Sequence, residues 1–298
     1  MAEEAGSPGA STGTTRVAAF SPTYRPGFQA GGPVVTLSRM IDLEKSASVR
    51  VVTSDRDLGD ATPYPNVAVR QWNTCGSAQV SYLRRSPRDW LWVLRELRLW
   101  RPEVTFINGL QHPLFGLFPI ALWRFGILSG ALMVAPRGQF SRGALARKAL
   151  KKLIAHPFIK VLLGSRLTWL VSSEMEHQDL LRWFGGALPP LHCVIIRADP
   201  GPPPLDSPTI PEHRSSIRLV FASRIDRMKG LSDLLHALSN SLVEVELHIH
   251  GTVTDQVYWR ECEQLIRRLP SNIRVQVFGA FLPEEASDIF AEADLLVL

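Results

Sequence analysis

Cysteine is scarce in this chain of 298 residues, which has three: Cys75, Cys193 and Cys262. None of them belongs to a Cys-x-x-Cys pair, so neither a disulfide framework nor a structural zinc site is indicated. A signal peptide is also missing, because the first residues are Glu, Gly, Ser, Thr and Pro without an apolar core. Both absences predict a reducing, cytoplasmic location.

Excess charge and long apolar runs are lacking too. The 33 Lys and Arg residues exceed the 28 Asp and Glu residues by a net +5, which indicates neither a disordered acidic chain nor a nucleic-acid-binding tail. The longest apolar stretch, Pro113 to Ala135, contains Pro119 and Arg124 and is broken near Gly130. We therefore predict a buried helix followed by a buried strand there, not a membrane span.

What the chain does have is an alternation of short apolar runs with amphipathic segments, typical of an α/β fold with mostly parallel sheets. Helices are predicted at 34–43, 87–100 and 174–183, and the last follows a capping box formed by Ser173 and Glu176. The predicted strands up to residue 196 are 17–20, 49–53, 104–108, 132–135, 168–171 and 193–196.

A proline-rich segment divides the chain. Residues 1–15 are predicted to be a disordered leader, 16–196 a first Rossmann-like domain, 197–215 a linker with six prolines, and 216–298 a second Rossmann-like domain. Predicted strands at 219–222, 245–250, 275–278 and 295–298 alternate with predicted helices at 230–238, 256–269 and 284–291. Because the chain ends inside a predicted strand, we expect either a C-terminally truncated sequence or a domain that another chain completes.

Two strand-to-helix turns carry groups suited to an anion. Gly31 and Gly32 precede the helix at 34–43, where glycines would let backbone N–H groups approach a phosphate. The turn has neither the Gly-x-Gly-x-x-Gly spacing of dinucleotide sites nor the Gly-Lys-Ser/Thr ending of a P-loop. An ordinary flexible turn is the alternative.

The second turn contains Arg224 and Lys229 between the strand at 219–222 and the next helix. An arginine fork and a lysine ammonium suit phosphate oxygens, and the carboxyl end of a strand is where an α/β domain holds such a ligand. A solvated basic loop is the alternative.

Basic residues are concentrated between Glu103 and Glu174, an interval without any acidic residue. Within it, residues 143–154 form a predicted basic amphipathic helix that could lie on an anionic membrane surface, or could pack by its leucines with its lysines in solvent. RNA binding is less favoured, since no nucleic-acid motif accompanies the charge. His248 and His250 share one face of a predicted strand, but without further ligands they do not indicate a metal site.

Taken together, these segments resemble the family 4 glycosyltransferases, which have the GT-B fold. The resemblance is carried by Gly31-Gly32-Pro33, by Ala135-Pro-Arg-Gly138 and by Ser223-Arg-Ile-Asp-Arg-Met-Lys229-Gly230. It continues from Gly251 through Phe278-Gly279-Ala280 to Ala293-Asp294-Leu-Leu-Val-Leu298.

The resemblance implies a retaining transferase that uses a nucleoside-diphosphate sugar as co-substrate and needs no resident cofactor and no metal. It implies that Arg224 and Lys229 are catalytic and stabilise the leaving diphosphate. Gly31, Gly32, Arg137 and Gly251 would bind donor or acceptor, and the acceptor would be a polysaccharide or a lipid-linked glycan.

Two departures from the family pattern affect these expectations. Arg137 stands in the region where many members have a histidine, which leaves it a role in charge stabilisation only. The acidic E-x7-E motif would begin beyond Leu298, so we expect weak or absent turnover. The alternative function is a non-catalytic scaffold at the inner face of the membrane that uses the basic surface of the first domain.

Overall fold

The computed structural model describes residues 14–84, 86–141, 162, 167–185, 192–195, 216–282 and 285–297. The chain divides into two compact units. One comprises Met1–Pro22, Leu37–Asp55 and Pro65–Arg197, and the other comprises Thr23–Thr36, Arg56–Tyr64 and Ala198–Leu298. The predicted linker and most of the predicted leader lie outside the described residues, so the predicted domain limits stay a prediction.

The first sheet has eight strands in the order β3-β4-β2-β1-β5-β6-β7-β8. All neighbouring strands are parallel except β3 and β4. In chain order the strands are β1 (Thr15–Phe20), β2 (Ala47–Ser54), β3 (Asn73–Cys75), β4 (Ala78–Leu83), β5 (Val104–Asn108), β6 (Ala131–Ala135), β7 (Leu167–Val171) and β8 (His192–Ile195).

The strand order reverses between β1 and β5, which lie side by side with Val17 opposite Val104. Ala18, Phe20 and Ile107 on these strands are fully buried, as expected for a parallel sheet covered on both faces. The first helices are α1 (Gly32–Leu43), α2 (Pro87–Trp100), α3 (Phe118–Arg124) after a π-helical turn (Pro113–Leu117), and α4 (Glu174–Phe184).

Helix α2 shows how the sequence positions these helices. Trp90, Val93 and Leu97 repeat at helical spacing and are buried in the core of the first sheet. The Trp90 ring stacks on Phe20 with centroids 6.4 Å apart. The helix ends at Arg101, which adopts a left-handed conformation at φ 54° and donates its N–H to the carbonyl of Leu97.

The second sheet has four parallel strands in the order β11-β10-β9-β12. The strands are β9 (Ile217–Ala222), β10 (Val245–His250), β11 (Ile273–Gly279) and β12 (Leu295–Val297), and the helices are α5 (Leu231–Leu238), α6 (Gln256–Ile266) and α7 (Ala286–Ala291). Leu247 and Ile249 pack with residues of α5 and α6 on one face of the sheet. Here the strand order reverses between β9 and β12.

The predicted α/β class with mostly parallel sheets is confirmed. The bounds of β5, α2 and β10 are as predicted, whereas α6 ends at Ile266 and not at Leu269. The hairpin of β3 and β4 was not predicted, although the alternation of Ala78, Val80 and Tyr82 with Gln79 and Ser81 is typical of a strand. Among the described residues, no helix has the length and apolarity needed to cross a bilayer.

Candidate functional site

In an open parallel sheet, ligands bind beyond the carboxyl ends of the strands, at the point where the strand order reverses. In the first sheet that point lies between β1 and β5. Ser21 directly follows β1, Asn108 is the last residue of β5, and Arg137 follows β6. The topology therefore brings these three residues together at the carboxyl ends of the strands.

A hydrogen-bonded chain joins them. Asn108 donates from Nδ2 to Ser21 Oγ at 3.1 Å, and its Oδ1 accepts from Arg137 Nε at 2.7 Å. Ser21 and Asn108 are buried. The ends of β1, β5 and β6 are thus tied together by polar side chains that fix the orientation of the Arg137 guanidinium.

Arg137 itself is under two constraints. Its backbone lies in the left-handed region, at φ 53°, which a non-glycine residue adopts at a conformational cost. Its Nη2 atom is buried and has no hydrogen-bond partner among the described residues. Burial lowers the pKa of the guanidinium, although Glu176 opposes the shift. A half-buried cation with an unused donor is suited to binding an anionic group of a ligand.

Glu176 on α4 holds the loop that carries Arg137. Its carboxylate accepts from the Gly138 N–H at 2.5 Å and from the N–H and hydroxyl of Ser172 at 2.7 and 2.9 Å. The predicted capping box is therefore half formed: Ser173 Oγ accepts from the Glu176 N–H, but the carboxylate reaches past Ser173. Sequence reasoning missed the contact with Gly138, because that residue lies 38 positions away in the sequence.

The glycine turn after β1 presents an open helix N-terminus. Gly31 has φ +67°, a conformation that favours glycine, and its carbonyl accepts from Val34 and Val35. A Cβ atom at Gly31 or Gly32 would meet nothing within 4 Å. Helix α1 has no acidic residue in its first turn. The turn can admit an anion, and the role of both glycines in binding a ligand stays a prediction.

In the second sheet, the loop from Ser223 to Gly230 leaves the carboxyl end of β9. Asp226 Oδ1 accepts from the Met228 N–H at 2.9 Å and begins a short 3-10 turn. Gly230 ends this turn in the left-handed region and begins α5. The loop is therefore held by its own backbone, and its cations project from a fixed turn.

The three cations of this loop differ in their partners. Arg227 binds both oxygens of Glu261 at 2.8 and 2.7 Å and lies over the Tyr258 ring at 5.1 Å. In contrast, the side chains of Arg224 and Lys229 have no hydrogen bond or ion pair with any residue that the structure describes. The loop thus separates a structural arginine from two cations available to a ligand.

Gly251 has a packing reason to be glycine. It follows β10 at φ +147°, and a Cβ atom there would overlap the carbonyl oxygen of Ser223. The close approach lets the Ser223 N–H donate to the His250 carbonyl and the Ile225 N–H to the Thr252 carbonyl. Gly251 positions the loop that carries Arg224, and its predicted contact with a ligand stays a prediction.

A cavity of about 390 Å³ lies on the face of the second sheet that carries His248 and His250. The His250 ring stacks on Phe278 with centroids 4.5 Å apart, and burial together with His248 lowers its pKa. His248 is 3.0 Å from the Glu246 carboxylate, an acidic neighbour that the sequence analysis did not name. Within the described residues, no group of three His, Cys, Asp or Glu side chains is placed to hold a metal ion.

Comparison with known proteins identifies the fold. Alr3699/HepE from Anabaena, solved in complex with UDP and glucose, has a TM-score of 0.64 at 15% identity, and the match covers 95% of this chain and 73% of HepE. The structure of HepE with UDP-glucose has a TM-score of 0.62 at 16% identity, and the match covers 94% of this chain and 72% of HepE. The chain has the GT-B glycosyltransferase fold.

The GT-B likeness extends to the lipopolysaccharide outer core galactosyltransferase WaaB in its apo form, with a TM-score of 0.51 at 12% identity over 95% of this chain and 73% of WaaB. No protein-family model and no curated protein sequence matches the chain. The GT-B prediction is confirmed. Family 4 membership, truncation, weak turnover and the ligand-binding roles of the six predicted residues stay predictions. The basic helix predicted at 143–154 lies outside the described residues.

Proposed function

We propose that this chain is a retaining glycosyltransferase of family 4 that moves a sugar from a nucleoside diphosphate to a polysaccharide or lipid-linked acceptor in the cytoplasm, without a resident cofactor. The fold supports a transferase of this type. UDP is the nucleotide to test first, since HepE was solved with UDP and with UDP-glucose. The observation that carries the proposal is a pair of cations at the carboxyl end of β9, Arg224 and Lys229, which have no side-chain partner among the described residues.

The proposed role of Arg224 and Lys229 follows from where charge develops. As the bond between the anomeric carbon and the diphosphate oxygen breaks, its electron pair goes to the diphosphate, which becomes the leaving group. Cations already held in place stabilise that charge without reorganising at the moment of reaction. Arg224 and Lys229 suit this task because no acidic side chain in the described part of the chain neutralises them.

The acceptor hydroxyl then forms the new bond to the anomeric carbon and loses its proton to the departing phosphate oxygen. Arg137 contributes charge stabilisation and not proton transfer, since an arginine stays protonated in proteins. Its unused Nη2 donor suits an anionic group of the donor or acceptor. Gly31 and Gly32 leave room for a ligand to approach the backbone at the start of α1.

The test is calorimetric titration of UDP and UDP-glucose into the purified chain and into Arg224→Ala and Lys229→Ala. We expect each substitution to raise the Kd about tenfold or more, the usual loss for a charge-assisted hydrogen bond. Arg227→Gln is the matched control: it removes the same charge from the same loop, but its guanidinium is already occupied by Glu261. We expect that control to change the Kd less than about threefold.

Equal losses in all three variants would indicate a general electrostatic effect and contradict the assigned roles. Absence of binding to UDP and to other nucleoside diphosphates by the unsubstituted chain would contradict the proposed function. Proton NMR of the product formed from UDP-glucose and a glycan acceptor checks retention, through the configuration of the new anomeric centre.

A further inference from the structure

Helix α2 buries one face, and no helix or strand of the described residues covers the other. Asp89, Trp90, Val93 and Leu97 are its buried residues. Five residues at helical spacing form the opposite, exposed face: Arg88, Leu91, Arg95, Arg98 and Leu99. We call them the arginine–leucine face. Its two leucines, Leu91 and Leu99, are 70% and 71% exposed and lie about two helical turns apart.

The charge of this face has one sign. Arg88, Arg95 and Arg98 have no hydrogen bond or ion pair with another described residue. The acidic residues of α2 lie elsewhere: Asp89 is buried and bound by Arg84, and Glu96 is half-buried on the flank of the helix. The arginine–leucine face therefore combines two exposed leucines with three guanidinium groups that have no partner in the described part of the chain, and it contains no carboxylate.

Half-buried tryptophans flank this face. The Arg50 guanidinium lies 4.6 Å from the Trp72 ring and 4.6 Å from the Trp100 ring, and Trp72 is 5.9 Å from Trp92. Tryptophan is enriched at membrane interfaces, where one side of the ring is apolar and the other is hydrated. Arg50 thus contacts one ring of α2, Trp100, and one ring next to the helix, Trp72.

We propose that the arginine–leucine face of α2 docks on the surface of an anionic lipid bilayer. Arginine forks bind lipid phosphates, while their methylene stems and the two leucines reach into the boundary between headgroups and acyl chains. Charge complementarity selects anionic lipid, since each cation near such a surface adds to the attraction. Nucleic acid satisfies the arginines but gives the leucines nothing to bury against. The inference does not depend on transferase activity or on the predicted helix at 143–154.

Sedimentation of the full chain with lipid vesicles tests the proposal. One set of vesicles is phosphatidylcholine alone, and the other contains about one third phosphatidylglycerol. We expect the partition coefficient to be at least about tenfold higher on the anionic vesicles and to fall steeply between low and high salt. The triple variant Arg88→Glu, Arg95→Glu, Arg98→Glu should lose this preference.

The matched control reverses three exposed arginines at and after α6: Arg260→Glu, Arg267→Glu, Arg268→Glu. It changes the net charge equally, and its partition coefficient should stay within about threefold of the unsubstituted chain. The pair Leu91→Ser, Leu99→Ser keeps the charge and should weaken vesicle binding about tenfold, while leaving binding to heparin, a polyanion without an apolar phase, unchanged.

Three outcomes would overturn the proposal. The first is equal partition on both kinds of vesicle, and the second is equal loss in the α2 and α6 variants. The third is loss only when Lys148, Lys151 and Lys152 are changed to Glu, which would assign membrane binding to the 143–154 segment. Circular dichroism melts of each variant establish that a lost interaction does not come from unfolding.

Discussion

Arg137 Nε donates a 2.7 Å hydrogen bond to Asn108 Oδ1, which fixes a guanidinium over the point where the order of the first sheet reverses. The same residue has a positive φ and a buried Nη2 atom without a partner in the described chain. Strain and an unsatisfied donor in one residue are more typical of a functional position than of a stabilising one.

Replacing Arg137 by glycine tests that interpretation. Arg137→Gly removes the positive-φ strain and the unsatisfied donor but also the 2.7 Å hydrogen bond to the buried Asn108, so we expect the free energy of unfolding to fall by no more than about 2 kcal/mol. The affinity for the nucleotide sugar or the acceptor should fall at least about tenfold. Arg101→Gly is the control, because Arg101 has the same φ, at 54°, at the end of α2. If the free energy of unfolding falls by several kcal/mol in Arg137→Gly and not in Arg101→Gly, Arg137 has a structural role.

Glu176→Gln should destabilise the first unit. Both carboxylate oxygens of Glu176 accept from N–H groups, of Gly138 and Ser172. A glutamine places its NH2 group against one of these donors, which costs about 1–3 kcal/mol in urea unfolding at neutral pH. Glu174→Gln on the exposed first turn of α4 is the control and should leave stability nearly unchanged. Equal unfolding curves for Glu176→Gln and the unsubstituted chain would contradict the assigned contacts.

Gly251→Ala should disrupt the loop after β9. The added Cβ overlaps the Ser223 carbonyl, so the backbone must shift, at a cost of about 3 kcal/mol or more. Gly279→Ala is the control, because Gly279 also has a positive φ, 82°, but a Cβ atom there would meet nothing within 4 Å. It should therefore cost only about 1–2 kcal/mol. Chemical denaturation measures both, and a cost for Gly251→Ala no larger than for Gly279→Ala would contradict the close approach.

Asp89 should make the first unit sensitive to acid. The hydrogen bonds from Arg84 hold the pKa of this buried carboxyl below its usual value. Its contribution to stability is present above the unfolded-state pKa of about 4 and is lost as the pH falls through the lower native value. Asp89→Asn should lower the free energy of unfolding by about 1–3 kcal/mol at pH 7. Its free energy of unfolding should also decline less steeply than that of the unsubstituted chain below about pH 4.

The pH dependence is measured by urea unfolding at a series of pH values. Glu103→Gln, which removes an exposed ion pair with Arg16, serves as the control and should cost less than about 1 kcal/mol at pH 7. If the free energy of unfolding of Asp89→Asn declines below about pH 4 as steeply as that of the unsubstituted chain, another carboxyl causes the acid sensitivity.

Much of the fold follows from the sequence. Short apolar runs predict β1 and β5, an alternating segment predicts β10, and the helical spacing of Trp90, Leu94 and Leu97 predicts α2, because hydrophobic periodicity is a local property. The loop with Arg224 and Lys229 is predicted for the same reason: both cations lie between a recognisable strand and a recognisable helix. The β3–β4 hairpin was not predicted, although β4 alternates apolar and polar residues as β10 does.

Tertiary structure decided which polar groups are already occupied. The sequence places Arg224, Arg227 and Lys229 in one loop, but only the fold brings Glu261 to Arg227 and leaves the other two without a described partner. It also brings Ser21, Asn108 and Arg137 to one edge, and leaves Arg88, Arg95 and Arg98 in solvent. Local patterns determine the elements, whereas contacts between residues far apart in the chain depend on strand order and packing.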